Sequence, residues 1–196
     1  MATSETSIVN VSMIKIGSLP IESLTDTNNP NAIKANAVYE PLRDEVLAAF
    51  QWKFAMDGAT LAKSLVTPDF KWAFQYALPS GSLRVREMLP ARTPYSIESG
   101  WLRTDYDNAY GDVSIRFTKK ITDPEKFSAE FIDCLATRIA QELAVAIKAD
   151  RVMAQMFAQD YDKTLLNAKM LSQQEDYIDK EAGQDTWDTI GRYEVR

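Results

Sequence analysis

Phe70-Lys71-Trp72-Ala73-Phe74-Gln75-Tyr76-Ala77-Leu78 sets a large apolar side chain at every second position across its length. Successive side chains of an extended chain point to opposite faces, so this alternation predicts a strand with one buried face; a helix would repeat every three to four residues. The turn residues Pro79-Ser80-Gly81-Ser82 follow it. Leu83 and Val85, alternating with Arg84 and Arg86, then predict its antiparallel partner. Tyr95, Ile97 and Ser99 open a third run that continues to Trp101 and Arg103, and Gly100 within it suggests a bulge or bend. Asp105 to Asp112 reads as a loop. Val113, Ile115 and Phe117, alternating with Ser114, Arg116 and Thr118, complete a small antiparallel sheet at about residues 60–121.

The period on both sides of that insert is helical. Ser4 or Thr6 can cap a first helix carrying Ile8, Val9, Val11, Met13, Ile14 and Ile16, and Gly17 can end it in the left-handed conformation. A turn-rich link runs to Asn31, and a second helix starts near Pro30. Ala32, Ala35, Val38, Tyr39, Leu42, Val46, Leu47 and Phe50 share one face of it; Lys34, Glu40, Arg43, Asp44 and Glu45 take the other, and Pro41 predicts a kink or local break. Thr122-Asp123-Pro124-Glu125 is a helix start, by capping-box spacing or with Pro124 at the first helical position. Phe127, Phe131, Leu135, Ile139, Leu143 and Ile147 form a row at i+4, beside a row of Ile132, Ala136, Ala140 and Ala144. Large ridge beside small groove predicts the structural spine. Lys148-Ala149-Asp150-Arg151 reads either as a break capped by Asp150 or as part of one rod, and Met153, Phe157, Tyr161 and Leu165 continue at i+4, followed by Ala168, Met170 and Leu171. From Gln173 the apolar pattern fails.

The expected architecture is α+β: an antiparallel helical bundle at 1–59 and 122–172, an inserted antiparallel β domain at 60–121, and an extended C-terminal docking tail at 173–196. A chain of 196 residues with 45% apolar and 26% charged residues has the composition of a globular protein with one sizeable core. The net charge of −6 argues against a sequence-independent grip on nucleic acid. No histidine is present, which removes Ser-His-Asp and Cys-His catalysis and His-containing zinc sites. The one cysteine, Cys134, falls in the helical pattern, where a buried apolar role is expected. With no signal-like start and no apolar run of membrane-spanning length, the reading is a soluble protein made in a reducing cytoplasm, with no membrane partner and no cofactor.

Few motifs carry chemistry. Asp105-Tyr106-Asp107-Asn108 with Asp112 resembles a sparse oxygen-ligand loop without the EF-hand order, so no metal is assigned. Arg84, Arg86, Arg103 and Arg116, with Lys119 and Lys120, gather on the polar positions of the expected sheet and make one basic face in an acidic protein. Aromatics there have the opposite parity, which disfavours base stacking. Trp187 and Tyr193 stand on a polar tail, where a lone monomer has no use for them and a partner can bury them as anchors.

Taken together, Glu40-Pro41-Leu42, Phe50-Gln51-Trp52-Lys53-Phe54, Trp72 to Pro79 with Leu83-Arg84-Val85, Thr122-Asp123-Pro124-Glu125 and the Ala-rich helix from Leu135 to Ala146 resemble the tail tubular protein A, or head-tail adaptor, family of short-tailed bacteriophages over nearly the whole chain. The resemblance implies a structural virion protein of the tail, assembled in the host cytoplasm and without catalytic residues. It further implies a homo-oligomeric, dodecameric ring between the portal protein and the tail nozzle, through which double-stranded DNA passes without specific recognition. The family's terminal Trp followed within a few residues by an Arg is matched by Trp187 and Arg192, so Trp187, Ile190, Arg192 and Tyr193 are the expected portal-docking tail. Arg84, Arg86, Arg103 and Arg116 are the expected channel- or nozzle-facing residues. The competing readings are a tail-associated cell-wall glycosidase using two carboxylates such as Glu98 and Asp105, and an assembly factor absent from the finished particle.

Overall fold

The first helix begins where Ser4 and Ser7 satisfy each other's backbone. Ser4 Oγ accepts from Ser7 N at 3.1 Å and Ser7 Oγ from Ser4 N at 2.9 Å, a reciprocal capping box. In this computed structural model, which describes residues 3–191 with side chains for residues 3–172, that helix is α1, Glu5–Lys15. Gly17, at φ +65°, ends it: Gly17 N bonds to Ile14 O and Ser18 N to Met13 O, each at 2.9 Å, the paired bonds of a Schellman turn. Contacts divide the chain into residues 4–39 with 128 onward, and residues 40–127.

In the helical unit, α3 (Ala129–Lys148) packs against both α1 and α4 (Arg151–Gly191). The expected i+4 row is its core: Phe131, Leu135, Ile139 and Leu143 are buried, and Ala136, Ala140 and Ala144 beside them let neighbouring helices approach. The start differs from the expectation. Asp123 caps only a short 3-10 turn, Pro124–Lys126; Phe127 leaves helical geometry, and α3 begins behind a second cap in which Ser128 Oγ accepts from Phe131 N at 3.3 Å. Between α3 and α4 the chain breaks: Ala149 turns left-handed at φ +53°, and Asp150 Oδ1 accepts from Met153 N at 2.9 Å to start α4. The α4 backbone runs on to Gly191, so residues 173–191, expected as the start of an extended tail, continue the helix. Gln173, Gln174, Glu175, Lys180, Glu181 and Ala182 are helix formers there, without a regular apolar row beside them. Asn10 clamps the link that follows α1: its amide bonds both N and O of Ile21, at 2.8 and 3.0 Å.

The helix α2 spans Pro30–Ala49, capped by Asn29, and Pro41 lies inside it without interrupting it. Ala32, Ala35, Tyr39, Leu42, Val46 and Leu47 are buried as expected. Arg43 is not on the solvent side. It is 1% exposed, with Nη2 2.9 Å from Asp44 Oδ1; its long stem suits the apolar face while its head finds a carboxylate.

The unit of residues 40–127 holds six strands in two sheets, where one four-stranded sheet was expected. The strands are β1 (Met56–Thr60), β2 (Phe74–Ala77), β3 (Ser82–Leu89), β4 (Tyr95–Glu98), β5 (Trp101–Thr104) and β6 (Ser114–Lys119). The sheet orders are β1-β6-β3 and β2-β5-β4, with every pair antiparallel. The 70–78 run shortens to four residues because Lys71 adopts φ +65°, leaving Phe70 exposed. Nor does β2 pair with β3: Pro79 to Ser82 hands the chain to the other sheet, where Gly81 O accepts from Lys120 N at 2.7 Å. Gly100 is a hairpin turn residue, not a bulge. It and Ser99 both have positive φ, the geometry that a two-residue turn between twisted strands requires. Tyr76 and Leu102 from one sheet and Met88, Ile115 and Phe117 from the other enter a single buried cluster.

Tyr76 also ties that cluster to the Asp105–Asp112 loop. Its Oη donates to Tyr106 O at 2.8 Å and accepts from Asn108 N at 3.0 Å, and burial pushes the phenol pKa up. Tyr76→Phe keeps the ring and orphans both backbone groups. It should lower stability by about 1–3 kcal/mol, read as a drop in urea midpoint at unchanged slope.

Candidate functional site

The four arginines expected on one basic face are not gathered there. The β3 bulge between Val85 and Glu87 turns Arg86 toward the end of α2. There Nη2 donates to Ala48 O at 2.9 Å and Phe50 O at 2.8 Å, and Nε to Thr118 Oγ1 at 2.8 Å. The last carbonyls of a helix have no partners within it and carry the negative end of its dipole, so a guanidinium fork is a fitting cap. Arg84 lies beside it, exposed, with Nη1 3.4 Å from Ala48 O. Burial, and then Arg84, lower the Arg86 pKa.

Arg103 belongs to the other sheet, where Nη1 pairs with Glu98 at 2.7 Å. Lys119 pairs with Asp57 and Lys120 with Asp44, each at 2.9 Å; the hydrogen bond from Lys119, more than its charge, holds the Asp57 carboxyl below its usual range. Arg84 and Arg116 are both exposed with no ion pair among the described residues, and of the two only Arg84 makes a side-chain hydrogen bond, to Ala48 O. The carboxylates of the glycosidase reading are likewise engaged: Glu98 holds Arg103 and Ser96, and Asp105 accepts from Ala73 N at 2.9 Å. Trp187 and Ile190 lie on the α4 backbone with side chains outside the described residues, and Arg192 and Tyr193 lie outside them altogether.

What the unit of residues 40–127 does present is apolar. Between β1 and β2 the chain makes a long excursion in which Leu65, Val66 and Phe70 are exposed, beside a cleft of about 410 Å³ lined by Lys63 to Thr67, Ala73 and Phe74. Lys63 braces its base, 4.0 Å over the Phe74 ring and 2.8 Å from Asp107, and its hydrogen bond lowers the Asp107 pKa. That engagement leaves Asp107 serving the fold; among the described residues no group of three or more acidic or thiol ligands is close enough to hold a metal. The sequence carried one signal for this loop: Thr67-Pro68-Asp69 is a turn inserted between apolar residues. Contiguous exposed apolar side chains on a long loop are a form that contact elements take.

The helical unit presents a second apolar surface. Val152, Met156, Leu166 and Met170 of α4 are exposed, while Met153, Phe157, Tyr161 and Leu165 are half-buried toward the bundle. A cleft of about 400 Å³ is lined by Lys15, Thr137, Phe157, Asp160, Lys163 and Thr164. Its charges are spent locally: Lys15 bonds Asp133 at 2.7 Å and Thr137 at 2.6 Å, and Lys163 pairs with Asp160 at 3.1 Å. Cys134 is fully buried, and burial pushes its thiol pKa up, which keeps it unreactive in the folded protein. No described helix is long and apolar enough to cross a membrane.

These are surfaces for contact, and no cluster of activated groups accompanies them among the described residues. A family model described as tail tubular protein matches residues 6–181. No curated protein matches the chain.

Proposed function

We propose, for a chain that belongs to the tail tubular protein family, the role of head-tail adaptor: a ring of copies, dodecameric by the family resemblance, that joins the portal protein to the tail nozzle and extends the DNA channel. Membership of that family makes it a structural protein of the bacteriophage tail, a virion component with oligomeric partners, and the family is not one of enzymes. The observation that carries the adaptor role is the pair of exposed apolar surfaces, Leu65, Val66 and Phe70 on one unit and the outer α4 stripe on the other, on a protein without an activated catalytic group among its described residues. A subunit with contacts on both units can meet neighbours in the ring and partners along the tail axis. An acidic subunit suits a lumen through which DNA slides, because each neutralised phosphate would add a salt-dependent hold. Of the arginines, Arg116 keeps a free head for the channel or nozzle. Assembly in the host cytoplasm follows from the same reading.

The test is electron microscopy of the full chain mixed with portal: stacked rings are the expected result, and single particles with bare portals overturn the proposal. Within the reading, Trp187, Ile190, Arg192 and Tyr193 engage the portal. Trp187→Ala should cost about 2 kcal/mol of portal affinity in a pull-down titration, with the unfolding curve unchanged. Equal affinity removes the C-terminal segment from the contact.

A further inference from the structure

We propose that neighbouring copies meet head to tail through the helical unit, the outer stripe of α4 on one copy packing against α1 and its following link on the next. This rests on the ring reading above and names the surfaces it uses. A ring closed by rotation needs two different patches on each copy, each complementary to the other. The helical unit has two. On α4, Val152, Met156, Leu166 and Met170 fall within about 40° of one line at 3.6 residues per turn, with the polar Gln159 and Lys163 between them, and all four are exposed whereas Met153, Phe157, Tyr161 and Leu165 are half-buried. On α1 and the link, Val11, Ile14 and Leu19 are exposed. Both helices pack on α3, so each stripe faces away from it.

The charges left around the two stripes differ in sign. On α4, Asp160 takes Lys163, which leaves Arg151, Lys169 and Asp162 without an ion pair over the described length. On α1 and the link, Asp133 takes Lys15, which leaves Glu5, Glu22 and Asp26. Lys148, whose ammonium donates to Gly17 O at 2.9 Å, adds one cation to that rim, so an apolar stripe with a cationic excess meets an apolar patch whose rim is acidic on balance. The alternative pairing fails on the same charges: two α4 stripes packed antiparallel about a two-fold axis would set Arg151 of each copy opposite Lys169 of the other. The sign of the surrounding charge favours α1 of a second copy as the occupant.

The test uses the full chain carrying Ile14→Cys and Met156→Cys, both at exposed positions, while the native Cys134 stays buried. The protein is mixed with portal, treated with a short bis-maleimide and separated under denaturing conditions. The expected result is a ladder extending past the dimer for the double variant and monomer for each single variant. Dimers from Met156→Cys alone mean that α4 meets α4, and they overturn the proposal. Rings visible in the microscope without a ladder overturn this interface and leave the adaptor role standing. No rings with the wild-type chain and portal overturn both.

Discussion

Replacing Leu135 with Ala is expected to destabilise the helical unit by about 2–5 kcal/mol. Leu135 is fully buried at the middle of α3, the helix against which both α1 and α4 pack. Its neighbours on that face are Ala136 and Ala140, already in close contact with the facing helices, so the backbone has little room to move inward and fill the space. The protein carries its own reporter. Cys134, the adjacent residue, is fully buried with its thiol pKa raised, so it reacts with a thiol reagent only when the unit opens. At tenfold per 1.4 kcal/mol, Leu135→Ala should speed labelling by roughly thirty-fold to a few thousand-fold where reclosing is fast. Val145→Ala on the exposed side of the same helix should stay within about 0.5 kcal/mol, a few-fold at most. Equal rates for the two variants would show that the i+4 row is not the spine.

The elements that could be read from sequence are those whose cause is local. Ser4, Ser7 and Gly17 delimit α1 within a few bonds of themselves. The α3 row and the β6 alternation persist because every large residue in them goes to one side, whatever the partner. Strand pairing has no such local cause. Tyr76 finds Leu102 across the β4–β5 hairpin, and the turn at Gly81 could as well have folded β3 back on β2; only the shared cluster of Met88, Ile115 and Phe117 with Tyr76 and Leu102 decides between them. Met56-Asp57-Gly58-Ala59-Thr60 has no strand signal of its own. It is a strand because β6 offers its edge.

The contact surfaces divide in the same way. Membership of the tail family was legible from the order of elements and a handful of motifs, and the match over residues 6–181 bears it out. Alternation along β3 assigned Arg84 and Arg86 to a solvated face, because periodicity registers where a Cβ points and not how far a guanidinium reaches. Leu65, Val66 and Phe70 escaped for the opposite reason: a sequence pattern counts apolar residues as core, and exposure is a property of the finished fold.

Arg86→Met should cost about 2–4 kcal/mol, the largest effect expected from any of the four arginines. Methionine keeps most of the stem's packing and removes all three donors. Ala48 O and Phe50 O, at the negative end of α2, then lose their cap, and Thr118, fully buried, loses Nε. Arg86→Lys should recover little, since one ammonium cannot span two carbonyls and a hydroxyl as a planar fork does. Arg116→Ala, on the neighbouring strand and exposed, should change stability by no more than about 0.5 kcal/mol. Urea unfolding followed by the fluorescence of the tryptophans, among them the buried Trp52 two residues from Phe50, measures all three. The pattern bears on the channel as well. If Arg86 spends its charge on α2, an Arg86→Met ring that still assembles should hold DNA with the same salt dependence as the wild type. A shallower slope for that variant would mean that the guanidinium leaves α2 to meet phosphate, and the capping assignment would fall with it.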